Sequence, residues 1–371
     1  MFLKRLSLSH YRNYDTVELA TDRGVNIFVG PNAQGKTNLL ESIYVLALTK
    51  SHRTHQDKEL IQWNRDMAMA RCELEKTYGT CTLELLITPQ GKKAKVNGLE
   101  QKKLSGFIGT MNVVMFAPED LNIVKGSPVV RRRFLDMEIG QVYPAYLHDL
   151  SQYQRVLAQR NNWLRQMVRE PSVDNALFDV WNEQLAGLGT KIMKKRQHFI
   201  QKLQQWAEKI HSSITDGSEQ IAIAYRPSLG FDVSAEEPVL FRQFMLKLSQ
   251  AKEQEIRRGV TLYGPHRDDL SFFINGKEAQ TYGSQGQQRT VALSLKLAEI
   301  ELIREEAGEY PILLLDDVLS ELDKNRQNQL IATFRRKVQT FITTTGIEGV
   351  NLDRLDDAAI FHVRDGRVSL S

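Results

Sequence analysis

The sequence of 371 residues has few cysteines and no long apolar run, and each absence excludes a class of protein. Its two cysteines, Cys72 and Cys81, lack C-x-x-C spacing and indicate neither a disulfide framework nor a zinc site. No stretch of about 18 apolar residues occurs, as a membrane-spanning helix requires. The first residues alternate polar and apolar, which predicts a strand and not a signal peptide. We therefore expect a protein of the reducing cytoplasm.

A large excess of charge of one sign is also missing, because 49 Lys and Arg against 45 Asp and Glu leave a net charge of +4. This balance permits contact with an anionic polymer, but the clustering of charges matters more than their total. One basic group is the triplet 131–133, whose side chains are 100° apart on a predicted helix. A solvated helix face explains the other group as well as DNA does. That group comprises Lys191, Lys194, Lys195, Arg196, Lys202 and Lys209.

A glycine-rich phosphate-binding motif is present near the N-terminus. Residues 30–37, GPNAQGKT, match G-x-x-x-x-G-K-[ST], follow an apolar run and precede a segment of helical periodicity. Backbone N–H groups of such a loop surround phosphates, and the helix N-terminus adds partial positive charge. We assign Lys36 to the β- and γ-phosphates and Thr37 to Mg²⁺. The nucleotide-binding residues predicted here are Gly30, Pro31, Asn32, Ala33, Gln34, Gly35, Lys36 and Thr37.

An acidic pair ends a strongly apolar predicted strand, ILLLDDV (312–318). A P-loop site needs a carboxylate on the magnesium side, and Asp316 can bind that ion directly or through water. Asp317 follows at a position suited to orient or deprotonate an attacking water. We predict catalytic roles for Lys36, Asp316 and Asp317, with Mg²⁺ held by Thr37 and Asp316.

A second polar, glycine-containing stretch, GSQGQQRT (283–290), precedes a long apolar-periodic run. A helix N-terminus made of small residues is another phosphate-binding device. We predict that Ser284, Gly286 and Gln287 contact the γ-phosphate of a nucleotide held by a second copy of the chain. Further on, SELD (320–323) is interpreted in two ways, as a helix cap or as a loop communicating between two nucleotide sites.

The middle of the chain changes from strands to long helices. Ser127 and Pro128 predict an N-cap and the first residue of a helix. Apolar spacings of three and four then predict two antiparallel helices of about 25 to 30 residues, with a break at Glu170–Pro171. Strands are predicted near 219–226 and 260–274. Hairpins are predicted at Asn97–Gly98 and Asn275–Gly276.

In this order the P-loop, the S-x-G-Q stretch, the Asp-Asp strand and the S-x-L-D segment resemble an ABC-type ATPase of the SMC class. Residues 118–136, 264–270 and 314–330 are similar to segments of the RecF family of bacterial recombination mediators. The resemblance implies an α/β fold with the SMC-like head architecture. A mixed-sheet P-loop lobe would span residues 1–117 plus 309–371. A mainly helical lobe of residues 118–308 would carry the signature stretch.

The same resemblance implies a function in DNA repair, replication restart and the SOS response. The expected activities are ATP-dependent homodimerisation, slow DNA-stimulated ATP hydrolysis and binding of single strands, duplex and gap junctions. The expected partners are RecR and RecO, which act with this family to load RecA. We expect contact with the DNA backbone, because no aromatic-interleaved strand pair suggests base stacking.

The sequence departs from the usual ABC-type pattern at three places. The first, hydroxyl side chains in place of a histidine, predicts slow hydrolysis because a hydroxyl is a poor general base. The expected histidine after the following strand is replaced by Thr343, Thr344 and Thr345. The glutamine loop is replaced by FAPED (116–120), and the catalytic glutamate by Asp317, which is one methylene shorter. Arg53, after the P-loop helix, is a further candidate contact for phosphate, either of the nucleotide or of DNA.

Other P-loop classes fit the sequence less well. A transporter subunit has a much shorter separation between P-loop and signature, and a chromosomal SMC protein needs far longer helical arms or a cysteine hook. A small-molecule kinase has only the P-loop in its favour.

Overall fold

The computed structural model describes residues 1–169, 175–319, 323, 326–327, 330–332, 337–346 and 358–370. The chain divides into two compact units. Unit 1 is Met1–Asp120, Ile210–Gly217 and Ala292–Ser371, and unit 2 is Leu121–Lys209 and Ser218–Val291. The P-loop lobe was predicted to resume at residue 309, whereas the last segment of unit 1 begins at Ala292. Residues 290–300 are buried on every face of their helix, and the division assigns nearly all of them to unit 1.

The described elements are fifteen strands and eight α-helices. The strands are β1 Phe2–Tyr11, β2 Tyr14–Ala20, β3 Val25–Val29, β4 Ala68–Lys76, β5 Gly79–Thr88, β6 Gly91–Val96, β7 Leu99–Glu100, β8 Val113–Phe116, β9 Ile221–Arg226, β10 Asp269–Ile274, β11 Lys277–Glu278, β12 Ile312–Asp316, β13 Thr340–Thr344, β14 Ala359–Arg364 and β15 Arg367–Leu370. The helices are α1 Lys36–Leu48, α2 Leu121–Lys125, α3 Pro128–Val142, α4 Pro144–Arg169, α5 Asn175–Ile214, α6 Glu237–Arg258, α7 Ala279–Tyr282 and α8 Gln285–Ala307.

A mixed sheet of order β15-β14-β3-β13-β12-β8 forms the centre of unit 1. The strands from β14 to β8 are parallel, and β15 pairs antiparallel at the edge. β3, β12 and β13 are buried along their whole length, as the apolar runs predicted. Because parallel strands end at one edge, the loop after β3 lies near the ends of β12 and β13.

An antiparallel sheet of order β2-β1-β4-β5-β6-β7 completes the strand content of unit 1. Burial alternates along β4 and β5, so one face packs inward and the other faces out. The predicted hairpin between β6 and β7 is confirmed, since Asn97 and Gly98 have φ of 51° and 78°.

Unit 2 contains α4 and most of α5, up to Lys209, and the contacts between these two helices confirm the antiparallel arrangement. Arg160 of α4 donates to Asn182 of α5 at 2.8 Å, while at the other ends Arg196 of α5 donates to the hydroxyl of Tyr146 in α4 at 3.0 Å. With 40 residues, α5 is longer than predicted. The predicted break at Glu170–Pro171 lies outside the described residues.

Two details of unit 2 differ from the sequence-based expectation. The strand predicted over 260–274 is confined to Asp269–Ile274. The preceding residues turn tightly instead, with Gly264 at φ +128° and the N–H of Arg267 donating to its carbonyl at 2.8 Å. The predicted helix after Ser127 does begin at Pro128, but the Ser127 side chain makes no capping hydrogen bond.

Buried ion pairs of unit 2 account for two of the basic residues singled out in the sequence. Arg131 pairs with Asp269 through two hydrogen bonds, and Arg196 pairs with Asp136 at 2.8 Å. Both arginines are almost fully buried, so they support packing and are not on a solvated face. In the part of the chain that the structure describes, no helix is long and apolar enough to span a membrane.

Candidate functional site

The P-loop joins β3 to α1, and its two glycines are required by geometry. A Cβ on Gly30 would lie 2.3 Å from the carbonyl oxygen of Val363. Gly35 has φ of +114°, and a Cβ there would lie 2.6 Å from both the Asn13 amide and the Tyr14 hydroxyl. The left-handed backbone and the close neighbours together exclude a side chain at position 35.

The Lys36 side chain lies inside the P-loop. Its Nζ donates to the carbonyl oxygens of Gly30 at 2.6 Å and Pro31 at 2.8 Å, and the residue is 7% exposed. Burial lowers the pKa of Lys36, while the charges of Asp317 and Asp316 oppose that effect. A buried ammonium beside loop N–H groups is suited to bind phosphate.

Three side chains meet at the carboxyl edge of the parallel sheet. Thr37 Oγ1 donates to Asp316 Oδ1 at 2.9 Å, and Thr343 Oγ1 donates to the same oxygen at 2.8 Å. The N–H of Asp317 donates to Thr343 Oγ1 at 2.9 Å. Thr343 therefore orients Asp316 and the backbone of Asp317. This role could not be predicted from the sequence, because Thr343 lies opposite Asp316 only through the register between β12 and β13.

The oxygen pair of Thr37 and Asp316 fits the hard ligands that Mg²⁺ prefers. Among the described residues, no group of three or more His, Cys, Asp or Glu side chains is arranged to hold a metal. Mg²⁺ commonly takes one or two protein ligands and completes its shell with phosphate oxygens and water. The donor set therefore suits a metal bound together with a nucleotide.

A groove of about 840 Å³ adjoins the P-loop in unit 1. Asn13 connects the two, since its Nδ2 donates to the Gln34 carbonyl at 3.0 Å and its Oδ1 accepts from Asn38 at 2.8 Å. The sequence reasoning found Arg53 but not the rest of this groove. Its polar and charged lining residues are Arg12, Asn13, Asn38, Arg53, Gln56, Lys58, Glu59, Gln62, Asn64 and Arg65.

The signature stretch, in unit 2, begins α8 with a reciprocal cap. The Ser284 hydroxyl accepts from the N–H of Gln287 at 3.2 Å, and the Gln287 side-chain oxygen accepts from the N–H of Ser284 at 2.9 Å. Gln288 is buried and donates to the carbonyls of Ala279 and Gln280. Gln285 is exposed. The contacts of Ser284, Gly286 and Gln287 with phosphate stay predictions, and Gln287 has a structural role as well.

The remaining motifs have different outcomes. Of the SELD segment, residues 320–322 lie outside the described residues, and Asp323 accepts from the N–H of Arg326 at 3.0 Å, as a helix cap does. At FAPED, Asp120 accepts from the N–H of Ala117 at 2.8 Å and closes a short turn.

His266 contacts the Tyr153 hydroxyl at 2.7 Å, and burial lowers the pKa of His266 to about 4. These contacts give His266 a structural role.

The chain is similar to known proteins along nearly its whole length. Residues 2–354 match the family described as RecF/RecN/SMC N terminal domain. The "DNA replication and repair protein RecF" of Geobacillus kaustophilus (strain HTA426) is 55% identical over 369 residues, which cover 100% of this chain and 99% of the relative. That of Staphylococcus aureus (strain JH9) is 54% identical over 368 residues, covering 99% of this chain and 100% of the relative.

Solved structures agree with the sequence relatives. The recombination mediator protein RecF of the RecFOR pathway, solved as RecF-ATPrS, has a TM-score of 0.93 at 34% identity, covering 100% of this chain and 98% of the other. An Smc head domain from Pyrococcus furiosus has a TM-score of 0.56 at 14% identity, covering 100% and 96%, and supports the fold alone. The predicted α/β, ABC-type head fold is thereby confirmed. The chain belongs to the RecF family of the RecF/RecN/SMC class of ABC-type ATPases.

Proposed function

We propose that the chain binds ATP with Mg²⁺ at the P-loop and hydrolyses it slowly. One observation carries this proposal. At the carboxyl edge of the parallel sheet, Thr37 and Thr343 both donate hydrogen bonds to Asp316, and Lys36 of the P-loop is buried. Solved relatives described as RecF-ATP and RecF-ATPrS support the choice of nucleotide. Mg²⁺, when bound, neutralises charge on the phosphates.

The chain's own residues then have separate tasks. Lys36 binds the β- and γ-phosphates, and Thr37 and Asp316 hold the metal. Asp317 is exposed and has φ of 54°, a left-handed conformation in which the chain leaves β12. Its carboxylate then orients an attacking water. The Thr343 hydroxyl is already engaged by Asp316 and Asp317, so it acts as a positioning group and not as a base. The absence of a histidine at this point favours slow turnover.

We further propose that the signature stretch completes the nucleotide site of a second copy. Ser284 and Gln285 are exposed at the first turn of α8, where helix N–H groups lack helical acceptors. Ser284, Gly286 and Gln287 would approach the γ-phosphate, and ATP would therefore stabilise a homodimer. Hydrolysis would then return the chains to monomers.

The regulated ligand in this proposal is DNA, as single strands, duplex or gap junctions. The names of the relatives, DNA replication and repair protein and recombination mediator of the RecFOR pathway, support that choice. The words RecFOR pathway also support RecO and RecR as partners and recombinational repair as the process. Loading of RecA, SOS induction and the bacterial cytoplasm enter the proposal only as what the family resemblance implies.

The test is DNA binding on gapped, single-stranded and duplex substrates of equal length, with and without ATP. We expect ATP to tighten binding by the wild-type chain and to have no effect on Lys36→Ala. Binding through Z phosphates should weaken with salt with a log–log slope of about −0.9Z on duplex. A flat salt response, or equal binding with and without ATP, would contradict the proposal.

A further inference from the structure

A buried carboxylate lies on the P-loop helix, apart from the residues assigned to the nucleotide and the metal. Glu41 lies on α1, one turn after Thr37, and its side chain is fully buried. Arg12 Nε donates to Glu41 Oε2 at 2.8 Å, and Arg12 Nη2 donates to Glu41 Oε1 at 2.7 Å. The Ser51 hydroxyl also donates to Oε1, at 2.5 Å. A paired geometry of this kind fixes both the position and the plane of the guanidinium.

A second arginine depends on the same carboxylate. Arg53 Nη1 lies 3.7 Å from Glu41 Oε2, and the same nitrogen donates to Asn38 Oδ1 at 2.8 Å. Although burial by itself raises the pKa of Glu41, the hydrogen bonds from Arg12 and Ser51 and the charges of Arg12 and Arg53 hold that pKa below its ordinary value. One buried anion therefore compensates two cations that would otherwise repel each other.

Both arginines line the groove beside the P-loop, whereas Glu41 does not. Arg53 is joined to the loop through Asn38, Asn13 and the Gln34 carbonyl, by hydrogen bonds of 2.8, 2.8 and 3.0 Å. Arg12 lies in the turn between β1 and β2, where it has φ of 55°. Its Nη1 also donates to the Glu59 carbonyl at 2.8 Å. Two separate segments of unit 1 thus place their guanidinium groups around the Glu41 carboxylate and along the same groove.

We propose that Glu41 is a positioning residue of the nucleotide site, which orients Arg12 and Arg53 toward a phosphate of the nucleotide bound at the P-loop without touching that nucleotide. The inference rests on the proposed binding of ATP and deepens it. The phosphate belongs to the nucleotide because Arg53 is linked to the P-loop through Asn38 and Asn13, and Arg12 shares the Glu41 carboxylate with Arg53. DNA is the other source of the same chemistry, and one arm of the test addresses it.

The test compares Glu41→Gln with wild type, using a non-hydrolysable ATP analogue for Kd and ATP for turnover. Gln keeps the shape but loses the charge that aligns both arginines, so we expect Kd and KM to rise about tenfold while kcat changes less than about twofold. Glu255→Gln is the matched control, because Glu255 forms an equally buried pair with Arg160 in unit 2. That control should lose stability and keep the Kd of the wild type.

A double-mutant cycle separates positioning from mere packing. If Glu41 acts through Arg12, the combined Glu41→Gln and Arg12→Ala variant should raise Kd by clearly less than the product of the two single effects. Should Glu41→Gln fail to fold, Ser51→Ala keeps the ion pair and removes one hydrogen bond, and it should raise Kd about two- to threefold. An unchanged Kd in the folded variant, or a full product in the cycle, would overturn the inference.

Two further arms distinguish this inference from its premises. Lys36→Ala should abolish ATP binding; if wild type and Lys36→Ala bind ATP equally, the proposed nucleotide site itself fails. Binding of single-stranded DNA in the absence of nucleotide should be equal in Glu41→Gln and wild type. If only DNA binding weakens, the phosphate belongs to DNA and the assignment to the nucleotide is overturned.

Discussion

At the scale of single residues, the acidic pair of the site is ordered by a threonine. Thr343 donates to Asp316 and accepts from the backbone of Asp317, so one hydroxyl fixes the metal-side carboxylate and the start of the following turn. Asp316 and Thr343 are buried, whereas Asp317 is exposed. A serine preserves this arrangement chemically, and a valine of the same shape does not.

Thr343→Val should leave the N–H of Asp317 without its acceptor and Asp316 without one donor. We expect a loss of about 1 to 3 kcal/mol in the free energy of unfolding and at least about a tenfold fall in kcat for ATP hydrolysis. Thr343→Ser is the control and should retain most of the activity. Denaturant unfolding and steady-state ATPase assays measure the two effects, and full activity in the valine variant would refute the role given to Thr343.

At the scale of elements, the P-loop depends on a backbone that only glycine adopts easily. Gly35 precedes α1 in a left-handed conformation, and the β1–β2 turn packs against it through Asn13 and Tyr14. The turn therefore limits the loop as much as the loop's own sequence does. Gly79, the first residue of β5, has a similar φ of +127° but nothing within 4 Å of an added Cβ.

Gly35→Ala and Gly79→Ala together separate backbone strain from crowding at the site. Each should lose about 1 to 3 kcal/mol of stability from the unfavourable φ. Only Gly35→Ala should also displace Asn13 and lose ATP affinity, by about tenfold or more. Isothermal calorimetry with ATP measures the difference, and equal affinities of the two variants would show that crowding at Gly35 is unimportant.

At the scale of the whole molecule, the proposed dimer joins the P-loop of one copy to the signature stretch of another. Ser284 has two properties there, because it is exposed and it also caps α8. A bulky replacement alone would therefore confuse loss of the cap with obstruction of the interface. The cap is worth about 1 kcal/mol, and its loss can be measured separately.

Ser284→Trp should bind ATP normally as a monomer but fail to form ATP-dependent dimers, because the indole would occupy the place of the γ-phosphate of the partner. Ser284→Ala removes the cap and the proposed hydroxyl contact without adding bulk, so it should dimerise more weakly than the wild type but far more readily than Ser284→Trp. Sedimentation velocity with and without ATP, beside an ATP titration, measures both steps. Dimers of Ser284→Trp that form with ATP as readily as the wild type would exclude the proposed arrangement.

Much of this molecule is determined locally in the sequence. The motif GPNAQGKT, the apolar run before Asp316 and the Asn-Gly turns specify their structures through short-range chemistry, since backbone conformation and strand burial depend on adjacent residues. The family was likewise predicted from the order of such motifs. The α/β fold follows from the alternation of buried strands and helices.

Only the tertiary structure decided the roles of residues whose partners are distant in the chain. Thr343 meets Asp316 through the register of two parallel strands, and Glu41 meets Arg12 because the β1–β2 turn packs on α1. Arg196 had the pattern of a solvated lysine-rich face, yet it pairs with Asp136 in the interior. Charge and periodicity are properties of a segment, whereas desolvation and pairing arise only after distant segments have packed together.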